Sequence, residues 1–428
     1  MNKQYYDLID ESLYSFTCNN GLQVYLLKKE DYYKTYGVFA TKFGSLNTLF
    51  KSNGVQHQVI DGAAHFLEHK MFEKENYDVM DKFATQQASS NAFTSFDKTA
   101  YLFSATANVE QNVETLLDFV QSLELSDESV EKEKPIIASE IAMYDDDADW
   151  QLFFQSLQTM YHNMPIKIDI AGTKETIYQI TKNDLETYYQ NFYHPSNMIL
   201  FVCGNIDVES LEKVITSNQD AKSFEKIDLE LVKVDEPDSV VNKELTKVME
   251  VANTKIMYSL KINEYILEPV KQDFAMGILC DILFSKASDF FQDLLTSKKI
   301  TNNYSYSFDQ DIYYKYAFFQ MQFISDDDAY LTDYVKDYLS KDLTQFIKEE
   351  DFTRIKNKFI GDFIRLFNNP ESIANSFISF KFDDLDLFEI LNYIEDITLD
   401  EIKSLTKLFD LDYLTITKIV NKDYKQLL

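Results

Sequence analysis

The fold of this chain is first indicated by a short stretch that occurs twice. Residues 177–185 read IYQITKNDL, and residues 394–402 read IEDITLDEI, so isoleucine, threonine and an acidic residue recur in the same places. Each copy has a helical pattern and is followed by a run typical of a strand, which is apolar at 198–203 and alternating at 415–420. The second copy begins 217 residues after the first, close to half of the 428-residue chain, which predicts two similar domains.

The elements around the first copy indicate a mixed fold. Apolar runs predict strands, and helical periodicity predicts helices; the strands are 22–28, 37–43, 91–96 and 99–105, and the helices are 62–72, 77–86, 108–123 and 184–192. This order is typical of an α+β fold in which helices cover a sheet. We predict an N-terminal domain at 1–218, a charged linker at 219–243 and a C-terminal domain at 244–428.

The composition narrows the range of partners. The formal net charge is −30, which argues against nucleic acid and anionic membranes as partners. An acidic surface would favour cationic segments of a substrate, although it also serves simply as a solvated face. No apolar run is long enough to cross a bilayer, since 198–203 is far shorter than the required ~20 residues.

The cysteines and the first residues bear on the compartment. Three cysteines, Cys18, Cys203 and Cys280, lie far apart and imply no disulfide framework. Neither Cys203 nor Cys280 has the sequence context of a catalytic nucleophile. Residues 1–16 are polar and acidic and lack the basic and apolar regions of a signal peptide. We therefore predict a cytoplasmic protein.

The histidines carry the strongest chemical signal. Only five occur, and two of them stand in His65-Phe66-Leu67-Glu68-His69. About 0.005 copies of this motif are expected by chance at these residue frequencies. Residues four apart share one face of a helix, so both imidazoles can reach one zinc ion, and Glu68 can approach a metal-bound water. The order is the inverse of the common His-Glu-x-x-His motif. The alternative is a surface helix whose histidines bind nothing.

A hydrolytic zinc site needs a third protein ligand and an open position. No other histidine is well placed, so a carboxylate is expected. Glu133 and Glu140 are seven residues apart and face the same way on a helix, a weak signal in so acidic a chain. Pro135 lies between them, so the helix either bends there or begins there.

The sequence resembles the pitrilysin/insulinase peptidase family, which includes small bacterial members and the mitochondrial processing peptidases. The resemblance covers nearly the whole chain and is strongest at 62–204. It rests on four motifs: Gly62-x-x-His65-Phe66-Leu67-Glu68-His69-x-x-Phe72; Asn91-Ala92-Phe93-Thr94-Ser95 with Thr99-x-Tyr101; Glu133 followed by Glu140; and Phe192-Tyr193-His194-Pro195-Ser196-Asn197-Met198. The resemblance implies two similar domains, each a mainly antiparallel sheet covered by helices, with a single zinc site in the first.

The resemblance also implies roles for particular residues. His65, His69 and Glu140 match the family's zinc ligands, and Glu68 matches its catalytic base. Glu133 matches the carboxylate that supports a ligating histidine, a role that orients the ring and raises its basicity. The stretch 91–95 matches the edge strand beside the zinc, which binds an extended peptide through main-chain hydrogen bonds. The backbone of Ala92 and the side chain of Asn91 are the candidate substrate contacts, unless this strand is an ordinary hairpin strand.

The second half departs from the family pattern. It has no histidine, and the family's arginine in a segment like Leu-Arg-x-x-x-x-x-x-Tyr is absent from 294–304, although Tyr304 is present. Without a donor for the oxyanion, the rate would fall by about a hundredfold or more. A paralogous partner chain without the zinc motif would supply the missing groups, or Lys298 or Lys299 would replace the arginine in a homodimer. Family members enclose peptides in a chamber of four such domains, so either alternative implies a dimer.

The residues and the resemblance together predict a zinc metallopeptidase that hydrolyses peptide bonds in short or unfolded polypeptides. Two alternatives from other classes remain open. One is a non-catalytic peptide-binding or assembly subunit of a peptidase heterodimer. The other is an iron site for redox chemistry, because iron also accepts histidine and carboxylate ligands.

Overall fold

The computed structural model describes residues 1–7, 9–300, 303–325 and 327–422. The chain forms two compact units, and each unit is built from three separate segments. The first unit comprises Met1–Ile141, Ile168–Lys233 and Ile364–Phe388. The second unit comprises Ala142–Lys167, Val234–Phe363 and Glu389–Leu428, of which residues 423–428 lie outside the described part of the chain.

Strands and helices alternate in groups along the chain. The strands are β1 Asn2–Tyr6, β2 Glu11–Thr17, β3 Gln23–Lys28, β4 Thr35–Thr41, β5 Leu49–Ser52, β6 Val55–Gln58, β7 Ala88–Thr94, β8 Thr99–Ala105, β9 Met198–Gly204, β10 Leu229–Leu231, β11 Glu244–Val248, β12 Lys255–Lys261, β13 Tyr304–Asp311, β14 Tyr316–Ile324 and β15 Leu414–Val420. The α-helices are α1 Ala63–Met71, α2 Val79–Thr85, α3 Val109–Val120, α4 Asp127–Asp146, α5 Ala148–Met160, α6 Lys174–Gln179, α7 Lys182–Phe192, α8 Val208–Asp220, α9 Pro269–Phe284, α10 Asp289–Thr296, α11 Asp328–Leu339, α12 Glu349–Leu366, α13 Pro370–Phe382, α14 Ile390–Glu395 and α15 Leu399–Leu405. Short 3₁₀ turns lie at Pro165–Lys167, Pro195–Asn197, Leu343–Phe346, Leu387–Glu389, Thr406–Leu408 and Leu411–Tyr413.

The first unit is organised around a seven-stranded sheet with the strand order β1-β2-β3-β9-β4-β8-β7. Only β3 and β9 run parallel; the other neighbours are antiparallel. The apolar run of β9 is buried along its whole length, as expected for a central strand. A small second sheet has the order β10-β5-β6. Helices α1, α3 and α7 contribute to the core, through Phe66, Phe119 and Phe192 among others.

The second unit repeats the central part of this arrangement. Its five strands have the order β11-β15-β12-β14-β13, and again one neighbouring pair, β11 with β15, is parallel. By position in the sheet these strands correspond to β3, β9, β4, β8 and β7. The prediction of an α+β fold with two similar domains, each a mainly antiparallel sheet covered by helices, is confirmed.

The repeated sequence stretch has a structural cause. In each copy the threonine caps the following helix: Thr181 accepts a hydrogen bond from Asp184 N, and Thr398 accepts one from Glu401 N. The acidic side chain bonds back to the backbone of the threonine, which completes a capping box in both copies. The recurring threonine and acidic residue therefore start the helix that leads into β9 or β15, the strands at corresponding positions in the two sheets.

Each half of the sequence contributes one helix to the unit that is built mainly from the other half, and we call this the exchange of helices. Helix α5 lies in the second unit and packs on β12 and β15, and α13 lies in the first unit and packs on β9 and β4. Leu152 of α5 joins Met257 and Ile419 in one apolar cluster, and Phe377 of α13 stacks on Phe201 at 4.5 Å between ring centroids. The compact units are therefore not the contiguous ranges expected from the sequence.

The predicted linker at 219–243 also contains structure. Its strand β10 pairs with β5 of the first unit, so the segment is a linker in only part of its length. The boundaries at 218 and 244 concern the two repeats along the sequence rather than the compact units, and they stay a prediction.

Helix α4 settles one point that the sequence left open. It begins at Asp127 and continues to Asp146, with Pro135 in its interior, so the helix does not begin at the proline. The lost backbone donor of Pro135 is tolerated within this helix, and Glu133 and Glu140 both belong to it. Across the described part of the chain, no helix is long and apolar enough to span a membrane.

Candidate metal centre

Helix α1 brings the two motif histidines together. Gly62 precedes the helix with φ of 88°, and a Cβ there would lie 2.4 Å from the carbonyl oxygen of Ala171, so only glycine fits. The apolar face of α1, with Phe66 and Leu67, is buried in the core of the first unit. The opposite face presents His65 and His69, whose ring centroids lie 4.6 Å apart.

Helix α4 brings Glu140 to the same place. Its Oε1 lies 3.7 Å from His65 Nε2, and its Oε2 lies 3.6 Å from His69 Nε2. These separations are too long for good hydrogen bonds. They are close to the roughly 3.4 Å that separates two ligand atoms bound to one tetrahedral zinc about 2.1 Å away. All three residues offer ligand atoms within 4.8 Å of one another. The two imidazoles and one carboxylate therefore fit a zinc ion with an open coordination position.

Glu133 fixes the orientation of one imidazole. Its Oε1 lies 3.0 Å from His69 Nδ1, so the carboxylate accepts a hydrogen bond from that nitrogen. This arrangement leaves the lone pair of Nε2 directed towards Glu140. The hydrogen bond from His69 holds the pKa of Glu133 below its usual range, whereas burial opposes this shift. Burial alone would lower the pKa of His69, but the bond to Glu133 and nearby carboxylates outweigh it and raise that pKa.

His65 is kept neutral by its surroundings. Burial, followed by the neighbouring His69, lowers the pKa of His65 to about 4. Among the described residues no group hydrogen-bonds to its buried Nδ1. A neutral imidazole is the form that binds a metal, so the environment of His65 favours ligation at near-neutral pH.

Glu68 is held beside the histidines by a residue that the sequence interpretation did not single out. Thr94 Oγ1 donates a hydrogen bond of 2.6 Å to Glu68 Oε2. Burial raises the pKa of Glu68, and the bond from Thr94 opposes this shift. Thr94 belongs to the quoted motif at 91–95, and alternation along a strand places its side chain on the same face as Ala92. That alternation was the available signal for Thr94.

The two predicted substrate contacts lie on an outer strand. β7 is the last strand of its sheet among the described residues, so one row of its backbone groups faces away from β8. Ala92 is half-buried on this strand, and Asn91 is exposed. Neither side chain belongs to the His65, His69 and Glu140 group.

The remaining candidates lie outside this cluster. His57 stacks on Phe50, and His194 Nδ1 lies 2.8 Å from Ser196 Oγ. In the second unit, Tyr304 is buried in the core against Phe291, and Lys299 pairs with Asp327. Thr301 and Asn302 of the segment at 294–304 lie outside the described residues.

Two family profiles match this chain. The profile of the insulinase family, peptidase family M16, matches residues 56–174, which include α1, β7 and most of the helices around the cluster. A profile described as the peptidase M16 inactive domain matches residues 179–359. Together these matches cover parts of both sequence halves.

Individual relatives agree with the profiles. A Bacillus subtilis (strain 168) protein named as the uncharacterized zinc protease YmfH is 40% identical over 424 residues, which cover 97% of this chain and 98% of that protein. A Schizosaccharomyces pombe protein named as a probable mitochondrial-processing peptidase subunit beta is 33% identical over 159 residues, covering 36% of this chain and 35% of that protein.

Solved structures share the fold over most of the chain. The crystal structure of a putative M16-like peptidase from Alicyclobacillus acidocaldarius has a TM-score of 0.91 at 32% identity, covering 96% of this chain and 99% of that one. A protease from Helicobacter pylori has a TM-score of 0.81 at 19% identity, covering 95% of this chain and 99% of that one, which shows the fold alone. Because the profiles and a relative of nearly full length agree, this chain belongs to the insulinase family of peptidases, peptidase family M16.

Proposed function

We propose that this chain is a zinc-dependent endopeptidase of the inverted His-x-x-Glu-His type that hydrolyses short or unfolded polypeptides. The observation that carries the proposal is the spacing of three ligand atoms from His65, His69 and Glu140, which suits one tetrahedral ion. The carboxylate of Glu68 adjoins this group on α1. The zinc protease name of the B. subtilis relative supports the choice of metal.

In this proposal His65, His69 and Glu140 hold one zinc ion per chain. Bound zinc would polarise the scissile carbonyl and lower the pKa of a coordinated water. Glu68 accepts a proton from the attacking water and later donates it to the leaving amine. Thr94 holds Oε2 of Glu68, which leaves Oε1 to take the proton. Glu133 keeps the His69 ring in a ligating orientation.

The outer strand β7 is the proposed place for the substrate backbone. An extended peptide would pair with its outward-facing groups, with the backbone of Ala92 and the side chain of Asn91 as contacts. Main-chain pairing is tolerant of sequence, which suits an enzyme that degrades varied peptides. The formal charge of −30 suits substrates with basic segments.

A partner chain completes the proposed enzyme. The family's arginine is absent from the segment at 294–304, and Tyr304 is used in the core of the second unit. We therefore favour a dimer with a paralogous chain, which supplies the missing donors to a closed chamber, over a homodimer that uses Lys298 or Lys299. The S. pombe relative is itself named as a subunit. A cytoplasmic location is proposed from the three buried cysteines, which are free thiols.

A second candidate function is a non-catalytic subunit of a peptidase heterodimer. The missing arginine favours it. The profile described as an inactive domain covers residues 179–359 and does not include the cluster, so it does not decide between the two functions. The filled positions at His65, Glu68, His69 and Glu140 favour the enzyme.

The test uses the full chain, purified alone and with any protein that co-purifies from the native cell. We expect one zinc per chain by elemental analysis, and cleavage of fluorogenic peptides that a chelator abolishes and added zinc restores. Iron in place of zinc would favour the redox alternative. A chain that binds zinc but cleaves no peptide with or without its partner would favour the non-catalytic subunit.

A matched variant tests the assigned base. Glu68→Gln preserves the size of the side chain but cannot accept the proton, so it should retain zinc and lose activity by about 10²–10⁴-fold. Full peptidase activity in Glu68→Gln would remove Glu68 from the mechanism.

A further inference from the structure

A buried lysine follows directly after the second motif histidine. Lys70 lies in the last turn of α1, and its side chain is only 1% exposed. Burying an ammonium group is costly unless anions and hydrogen-bond acceptors surround it. The partners of the Lys70 ammonium group therefore indicate its structural role.

Two of its partners belong to α4, the helix that carries Glu140. The Nζ of Lys70 donates to the carbonyl oxygen of Ser129 at 3.2 Å, and it lies 3.6 Å from Oε2 of Glu133. The third partner is Glu73, which is on the chain just beyond α1 and is 50% exposed. One side chain thus links the end of α1 to two points on α4.

The same carboxylate links Lys70 to His69. Glu133 accepts from His69 Nδ1 through Oε1 and faces Lys70 through Oε2. With both oxygens engaged, the plane of the carboxylate is fixed relative to the imidazole. Removing the lysine would free one oxygen and leave a partly buried negative charge with less compensation.

We propose that Lys70 is a positioning residue for the metal centre, acting through Glu133 on His69. The inference rests on the proposed zinc function. Lys70 does not touch the ligand atoms themselves. Its role is to hold the carboxylate that orients a ligating histidine.

The competing interpretation is that Lys70 is only a structural ion pair with Glu73. Half-exposed pairs contribute little to stability, so this pair does not explain why the lysine is buried. Lys134 offers a matched control on α4, because its side chain is 6% exposed. Its Nζ contacts Glu131 and the carbonyl oxygen of Tyr178. A buried lysine of purely structural importance should behave like Lys134.

The experiment measures the zinc affinity of the full chain by competition with a chromophoric chelator at near-neutral pH. Outer partners of a metal ligand typically contribute ten- to a hundredfold in affinity, so Lys70→Met should weaken zinc binding by about tenfold or more. Lys70→Arg retains the charge on a larger planar group, so it should lose less zinc affinity than Lys70→Met. Lys134→Met should change the affinity by less than about twofold, and thermal unfolding of each zinc-free variant shows whether it is folded.

A double-mutant cycle separates positioning from general damage. If Lys70 acts through Glu133, adding Lys70→Met to Glu133→Gln should weaken zinc binding by less than about a further twofold. The proposal is overturned if Lys70→Met binds zinc like the wild type, or if its full effect persists in the Glu133→Gln background. It is also overturned if Lys70→Arg loses as much affinity as Lys70→Met.

Two further outcomes are distinguishable. If Lys70→Met cannot be recovered folded, Lys70→Gln is measured against the same criteria. A wild-type chain that binds no zinc contradicts the proposed function itself, whereas equal zinc affinity of the wild type and Lys70→Met contradicts only the role of Lys70.

Discussion

The two units build the same central sheet and differ in what they place beside it. Both have one parallel pair among otherwise antiparallel neighbours, and both use a capping box to start the helix that precedes one strand of that pair, β9 or β15. Only the first unit has a histidine and carboxylate cluster among the described residues. Apolar patterning therefore determines the sheet, and a few polar side chains distinguish the unit that has a candidate metal site.

The corresponding region of the second unit shows how the same layer is built without such a cluster. Helix α9 stands between β12 and β13, as α1 stands between β4 and β7. Its buried residues are mostly apolar and include Met276, Leu279 and Cys280, and the second half of the sequence has no histidine. The same layer can thus be filled by apolar packing alone.

The largest expected effect tests the exchange of helices between the units. Phe377→Ala removes the aromatic ring that α13 packs on the first sheet, and Leu152→Ala shortens the side chain that α5 packs on the second. Such truncations of buried side chains cost about 2–5 kcal/mol in the free energy of unfolding. Chemical denaturation measures the loss, and hydrogen exchange locates it.

The strands in which hydrogen-exchange protection is lost show which sheet each helix packs on. Phe377→Ala should reduce protection in β4 and β9, and Leu152→Ala should reduce it in β12 and β15. The opposite pattern, with Phe377→Ala affecting β12 and β15 and Leu152→Ala affecting β4 and β9, would contradict the exchange of helices.

The next largest effect is on zinc affinity and tests the candidate metal site that distinguishes the first unit from the second. Glu140→Gln replaces the proposed carboxylate ligand with a poor neutral one, so zinc affinity should fall by about a hundredfold or more, beyond the usual effect of an outer partner. Glu128→Gln, on the exposed start of the same helix and paired with Lys132, is the control and should leave the affinity unchanged. Equal affinities in a chelator competition would contradict the assignment of Glu140.

A smaller effect concerns a carboxyl group of the second unit. Burial, aided by the charge of Asp309, raises the pKa of Asp273 to about 7. The folded chain therefore binds more protons than the unfolded chain above about pH 4, and stability falls as the pH rises towards 7. Asp273→Asn has no such proton to lose, so its stability relative to the wild type should increase by about 2 kcal/mol between pH 5 and pH 8. Denaturation at several pH values measures this, and a constant difference would contradict it.

The smallest effect should be equal in the two units. Thr181→Ala and Thr398→Ala each remove the side-chain acceptor of a capping box, which costs about 1 kcal/mol. Replacement by serine should restore most of the loss. Clearly different denaturation midpoints for the two alanine variants would show that the two capping boxes do not contribute equally to stability.

Much of the centre could be predicted from the sequence because its signals are local. His65 and His69 are one helical turn apart, so their proximity follows from helix geometry alone. Glu140 required the family resemblance, since spacing cannot tell which of many carboxylates meets a helix about 70 residues away. The structure brings it to the two histidines.

The missed features are contacts between distant elements. Thr94 meets Glu68 and Lys70 meets Glu133 across helices and strands whose relative placement no periodicity reveals. The apolar faces of α5 and α13 indicate burial but not which sheet buries them, so the exchange of helices was invisible in the sequence. The α+β class and most strands near the repeat were predictable, because alternation and capping act within a few residues.

The position of α13 has a consequence for synthesis on the ribosome. The sheet that bears the histidine cluster needs residues 364–388 to cover β4 and β9, although the rest of its unit has been translated by residue 233. At about 5–20 residues per second, this last helix arrives about 10–30 s later. During that interval the nascent first unit exposes apolar strand surface, so we expect chaperones to bind it.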